Sequence, residues 1–289
     1  MTTVLLLAVV LWLDGWRRVP REALLLRKTG LGGWRVVEPW ARLGAFALVA
    51  LWPPLIVPLV VTTGDTGSAA TPWWRRDFAI AVARGRRRLR RTRLQVGALR
   101  AIGVLLSGWI VVGIPIATAR SGLNGLLLGI LGAFCLSTWL AIVAAGTVRE
   151  LGASWRAALR ASAPLVSPFT AVRAPEVVTD AALGGLPALA RVAALLDERE
   201  LGAWLRPHAY DVLHGRAAAG LPAGLARLVA QLPADLLGRS VGAAPSGAER
   251  EAGTAYCPRC ATTYQESATS CVHCSEVALH CLTAASLPR

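Results

Sequence analysis

The chain has 289 residues, is 54% hydrophobic with a mean hydropathy of +0.50, and carries a net charge of +14 although only 17% of it is charged. That composition is too apolar for an ordinary soluble domain and fits a polytopic membrane protein. In such a protein a basic excess is first a topology signal, because positive loops stay on the cytoplasmic side. Lys28 is the only lysine, a bias that reflects a GC-rich, bacterial genome and carries no function.

Taken in chain order, four apolar segments stand out. Met1 to Leu13 lacks the basic start and small-residue cleavage site of a signal peptide and is short for a span. Leu43 to Val61 is uncharged but carries Trp52-Pro53-Pro54 and Pro58. Prolines remove backbone donors, so this segment is expected as a kinked span or a re-entrant hairpin. Residues 101–119 and 121–148 are the securest spans, joined at Arg120 as a tight antiparallel pair. Gly103-x-x-x-Ser107 and Gly125-x-x-x-Gly129 put small residues on one helix face and permit close backbone approach. Cys135, alone in the fourth segment, reads as an inert core thiol.

Charge assigns the sides. Ten arginines between 75 and 100 place that stretch in the cytoplasm, the 120 turn outside, and everything after Arg149 inside. Residues 17–42 hold six arginines and Lys28 and also read as cytoplasmic. Four regular spans cannot place both basic loops inside, so either residues 43–61 do not cross or the first loop is an exception. Within that loop, residues 23–27 and 34–38 flank Thr29-Gly30-Leu31-Gly32-Gly33 and read as a small β-hairpin.

Asp77 to Leu94 reads as a basic helix with Arg84, Arg86, Arg87, Arg88, Arg90, Arg91 and Arg93. A basic helix beside a span is expected to lie on anionic headgroups, in preference to nucleic acid. Residues 149–236 read as a cytoplasmic domain of amphipathic helices. Helix starts are expected at Ala174-Pro175-Glu176, Gly185-Leu186-Pro187 and Gly220-Leu221-Pro222, where proline in the first turn costs no hydrogen bond. His208, Tyr210, Asp211 and His214 read as polar residues at a helix-bundle surface, because a spacing of six puts the two imidazoles on different faces. Residues 237–255 read as a flexible Gly/Ala/Ser-rich linker that frees the tail to move.

Five of the six cysteines lie in the last 33 residues. Cys257-Pro258-Arg259-Cys260 is followed, ten residues later, by Cys271-Val272-His273-Cys274. Two Cys-x-x-Cys pairs at that separation form a tetrahedral thiolate site, and thiolates on metal imply a reducing, cytoplasmic compartment. A disulfide reading is the alternative chemistry. With Tyr256, Tyr264, Val277 and Leu279 around it, the segment resembles the short zinc-ribbon family found at protein termini, over residues 256–279 only. The resemblance implies that Cys257, Cys260, Cys271 and Cys274 are the ligands of a structural zinc, with iron in a rubredoxin-like site as the alternative. The glycine that commonly follows each knuckle in the family, where φ is often positive, is Ala261 and Ser275 here.

The expected architecture is an all-α polytopic membrane protein of the bacterial cytoplasmic membrane, with three or four spans. It consists of a membrane domain over 1–148, a cytoplasmic helical domain over 149–236, a linker and a zinc ribbon over 256–281, the C-terminus being cytoplasmic. No H-E-x-x-H, G-x-S-x-G, P-loop or dinucleotide fingerprint occurs, and the spans hold no ionisable residue between their ends. The expected function is a non-enzymatic scaffold that docks a cytoplasmic protein through its ribbon. The alternative is a transporter or channel with a path lined by the broken segment 43–61.

Overall fold

The computed structural model describes Leu6, residues 17–20, 23–28, 33–37, 41–43, 46–49, 58–62, 75–215, 229–230, Val241, and residues 255–265, 268–274 and 277–281. The chain divides into two compact units, Met1–Thr62 with Arg76–Leu195 and Thr63–Arg75 with Leu196–Arg289. Most described residues are helical, and one apolar helical stretch, Arg93–Glu150, is long and apolar enough to cross a membrane. The first apolar segment, apart from Leu6, the helix start at 220–222, and most of the 237–255 linker lie outside the described residues.

The first unit begins with β-structure, which departs from the all-α expectation. Strands β1 (Arg17–Pro20), β4 (Ala41–Leu43) and β5 (Phe46–Val49) form an antiparallel sheet in the order β1-β5-β4. Strands β2 (Leu24–Lys28), β3 (Trp34–Val37) and β6 (Leu59–Thr62) form a second, in the order β3-β2-β6. The β2–β3 hairpin pairs Lys28 with Trp34 around the glycine-rich turn, as the sequence predicts. Segment 43–61 is the correction: its described residues after Leu43 are strands and Pro58, where a kinked span or re-entrant helix was expected. Its prolines deny a helix the donors it needs. The apolar run before them pairs instead with β1 and β4, and the run after them with β2, which buries Leu25, Leu26, Leu59 and Val60.

Helix α1 (Arg75–Arg91) leads into α2 (Arg93–Gly108), a single π turn over Trp109–Gly113, and α3 (Ile114–Glu150). Gly122 sits at φ 57°, ψ −136° and reverses the chain, so 93–150 is an antiparallel hairpin of two arms. Three contacts establish the reversal. Trp109 Nε1 donates to Gly129 O at 3.0 Å, Gln95 Nε2 to Glu150 Oε2 at 3.2 Å, and Gly125 lies against the Ala117 carbonyl so closely that a Cβ would overlap it. Gly129 likewise meets Ile114. Cys135, expected in the core, is exposed on α3.

Helices α4 (Trp155–Ser162), α5 (Pro168–Ala171), α6 (Ala174–Ala182) and α7 (Ala188–Leu195) follow. Starts at Ala174 and just after Pro187 agree with the proline signals. The core joins hairpin residues Leu99, Leu106, Leu140 and Ala144 to Ala158, Leu165, Ala171 and Val178. In the second unit α8 (Glu198–Leu213) opens on Asp197, whose carboxylate accepts from the Glu200 amide at 2.7 Å. The C-terminal segment folds as a three-stranded sheet, β8-β7-β9, from β7 (Ala255–Tyr256), β8 (Thr263–Tyr264) and β9 (His280–Cys281).

Candidate metal centre

Each Cys-x-x-Cys is a tight turn fixed by backbone bonds. Ala261 N donates to Cys257 O at 2.9 Å, Cys257 N to Thr262 O at 3.0 Å, and Cys271 N to Val277 O at 2.9 Å. Ala261 holds φ 62°, the left-handed conformation expected where the family has glycine; for an L-residue that costs about 1 kcal/mol. Ser275, the equivalent position in the second turn, lies outside the described residues.

The two turns bring the four thiols together, all sulfurs lying within 4.8 Å of one another and Cys260 Sγ 3.6 Å from Cys271 Sγ. Four sulfurs in tetrahedral array around a metal at ~2.3 Å lie about 3.8 Å apart. Donor chemistry and spacing therefore fit one metal ion held by Cys257, Cys260, Cys271 and Cys274. Cys257 and Cys271 are buried, Cys274 is half-buried and Cys260 is exposed.

Hydroxyls support two of the sulfurs. Tyr264 Oη lies 3.1 Å from Cys271 Sγ and Thr262 Oγ1 3.2 Å from Cys260 Sγ. Burial pushes the Cys257 thiol up to about 11 and raises Cys274 as well. Burial opposes the Cys271 thiolate too. There the Tyr264 hydroxyl, the Cys274 amide and the neighbouring thiols donate to it and bring it down to about 6. Donation to that sulfur holds the Tyr264 phenol up at about 12. Cys271 thus carries charge readily while Cys257 and Cys274 resist losing their protons, and a divalent cation relieves that crowding by displacing them.

The ribbon packs on α8. Arg259, between the first two cysteines, donates through Nη2 to Asp211 Oδ2 at 3.0 Å, and Asp211 is only 2% exposed. Tyr210 joins Cys257, Cys271 and Val277 in one apolar cluster and stacks on His214 with ring centroids 4.0 Å apart. Asp211 and Tyr210 are therefore not bundle-surface residues, as the sequence reading had them. No local signal marks a pair separated by 48 residues. The second knuckle is open instead, with Val272 and His273 exposed.

The seven arginines expected to face lipid divide into two groups. Arg86 Nη2 donates to Ala193 O at 3.1 Å and Arg88 Nη1 to Gly184 O at 3.3 Å, so both reach carbonyls at helix ends of their own unit. Gly85 lies against Leu186 and Ala194, which fixes this face of α1 on α7 and the turn before it. Arg84, Arg87, Arg90, Arg91 and Arg93 are exposed. Lys28 is held below its ordinary range by burial and then by the nearby charges of Arg93 and Arg100, so the two basic loops approach one another.

No family model, curated protein or solved structure matches the chain.

Proposed function

We propose that the protein is a membrane-anchored, non-enzymatic binding protein of a bacterial cytoplasmic membrane, which docks a cytoplasmic protein through a zinc ribbon. The observation that carries this reading is the ribbon's asymmetry. Its first knuckle is engaged on α8 through Arg259, and its second presents Val272 at 81% exposure beside His273. Val272 and His273, exposed on that turn, are the surface this reading gives to the partner. Four closed thiolate positions suit a structural zinc, since a catalytic zinc keeps one position open.

The hairpin 93–150 crosses the bilayer twice in this reading, with Arg120 at the outer turn. The nearness of Lys28 to Arg93 and Arg100 supports both basic loops on one side, and the strands at Phe46–Val49 and Leu59–Thr62 supply the physical route, since a segment paired into sheets need not cross. Arg84, Arg87, Arg90 and Arg91 then line a face of α1 toward anionic headgroups. The transporter alternative rested on a broken helix at 43–61 and loses that premise where strands are described.

The test is purification from native membranes in gentle detergent, comparing wild type with Val272→Asp and with Cys257→Ser/Cys260→Ser. The expected result is a protein retained by wild type and lost with Val272→Asp at unchanged zinc content, which then binds the purified wild type directly. Identical companions in all three preparations overturn the docking reading.

A further inference from the structure

Past α3 the chain does not leave the hairpin. Ser137 Oγ reaches Val166 O at 2.6 Å and Gly103 meets the Val172 backbone at a virtual Cβ distance of 3.6 Å, so residues 155–172 return alongside both arms. Ser137 is 15 residues beyond the Gly122 turn, about 22 Å of helix. A hydrocarbon core is about 30 Å thick. With the turn at one edge, Val166 lies about 8 Å inside the other.

Resting on the membrane reading above, we propose that residues 155–172 form a shallow re-entrant element, embedded among the acyl chains of the leaflet on the Arg149 side. Sequence reasoning had placed everything after Arg149 in the cytoplasm. Three observations favour lipid over water. Residues 161–172, Ala-Ser-Ala-Pro-Leu-Val-Ser-Pro-Phe-Thr-Ala-Val, carry no charge. Apart from Arg156 and Arg160, the exposed side chains from Trp155 to Val166 are apolar, with Trp155 48%, Leu159 47% and Val166 42% exposed, like Leu127, Leu131 and Phe134 on the hairpin. Arg149 lies over the Trp155 ring at 5.4 Å, an arrangement suited to an aromatic anchor at the interface.

The backbone chemistry agrees. Irregular backbone at membrane depth persists only where protein groups satisfy its carbonyls. Pro164 and Pro168 interrupt helix here, and the carbonyls at the break are satisfied within the protein: Ser137 Oγ donates to Val166 O, the Ser167 amide and Thr170 Oγ1 to Pro164 O, and the Ala171 amide and Thr170 Oγ1 to Ser167 O. Arg156 and Arg160, exposed on α4, are long enough to carry their charges up to the headgroups.

A genetically encoded fluorescent amino acid at Val166 tests this in vesicles of phosphatidylcholine and phosphatidylglycerol, with the same probe at Leu131 and Leu213 as references. Brominated acyl chains should quench the probe at 166 and at 131 but not at 213, and aqueous iodide should quench only 213. Quenching at 131 with iodide access at 166 overturns the re-entrant element and leaves the membrane body standing. A probe at 166 silent to both quenchers also overturns it, because protein then covers that face. Iodide access at 131 overturns both the element and the membrane reading.

Discussion

Arg259 and Asp211 form a 3.0 Å ion pair that ties the first cysteine knuckle to α8, with the carboxylate buried and the guanidinium 26% exposed. A buried charge that loses its partner costs far more than the pair contributes, because the remaining charge stays desolvated.

Arg259→Met should therefore destabilise the second unit by about 3 kcal/mol, and Arg259→Met/Asp211→Leu should recover to within about 1 kcal/mol of wild type. Denaturant unfolding of the metal-loaded protein, followed by protection of the α8 amides, measures the cycle. Additive losses in the double variant would mean that the pair is not coupled.

Tyr264 donates to Cys271 without itself being a ligand. Tyr264→Phe keeps the ring and removes the hydroxyl. It should weaken zinc binding by about 10- to 100-fold while leaving one metal per chain at saturation. Competition with a chromophoric chelator reads the affinity, and metal analysis reads the stoichiometry.

The four cysteines were legible because ligand spacing within a short turn is a local property, and the positive φ at Ala261 is what the resemblance to the ribbon family, with glycine at that position, implied. The β2–β3 hairpin and the reversal near Arg120 were legible for the same reason, each being closed by neighbours in sequence. Segment 43–61 was not. Its apolar run satisfies a span by composition, whereas its strands are fixed by distant partners, Phe46 by Pro20 and Leu59 by Arg27. The carbonyl contacts of Arg86 and Arg88 were not legible for the same cause, since their acceptors lie 107 and 96 residues away.

His208 supplies a pH dependence. Burial holds its imidazole below the ordinary range; Asp211 opposes that shift and Arg259 adds to it. The fold thus favours the neutral ring. The contribution is fully present above the unfolded value of about 6.5 and is lost as pH falls through the lower folded value. Stability of the second unit should fall between pH 7 and 5, and His208→Gln should flatten that slope when the two proteins are compared in the same buffers. Parallel slopes would assign the acid sensitivity to the thiolates alone.

The arginines of α1 separate by what they touch. Arg86 and Arg88 bond to carbonyls of their own unit, so Arg86→Gln should cost about 1.5 kcal/mol of stability by loss of a charged hydrogen bond. Arg84, Arg87 and Arg91 share the exposed face, and replacing all three with glutamine should change stability by less than about 0.5 kcal/mol each. If that face meets anionic headgroups, the difference appears on adding lipid. Phosphatidylglycerol should raise the melting temperature of the detergent-solubilised wild type and of Arg86→Gln above the value in phosphatidylcholine, and the triple variant should lose most of that increment. An increment unchanged in the triple variant would leave those three arginines as topology determinants with no role in holding lipid.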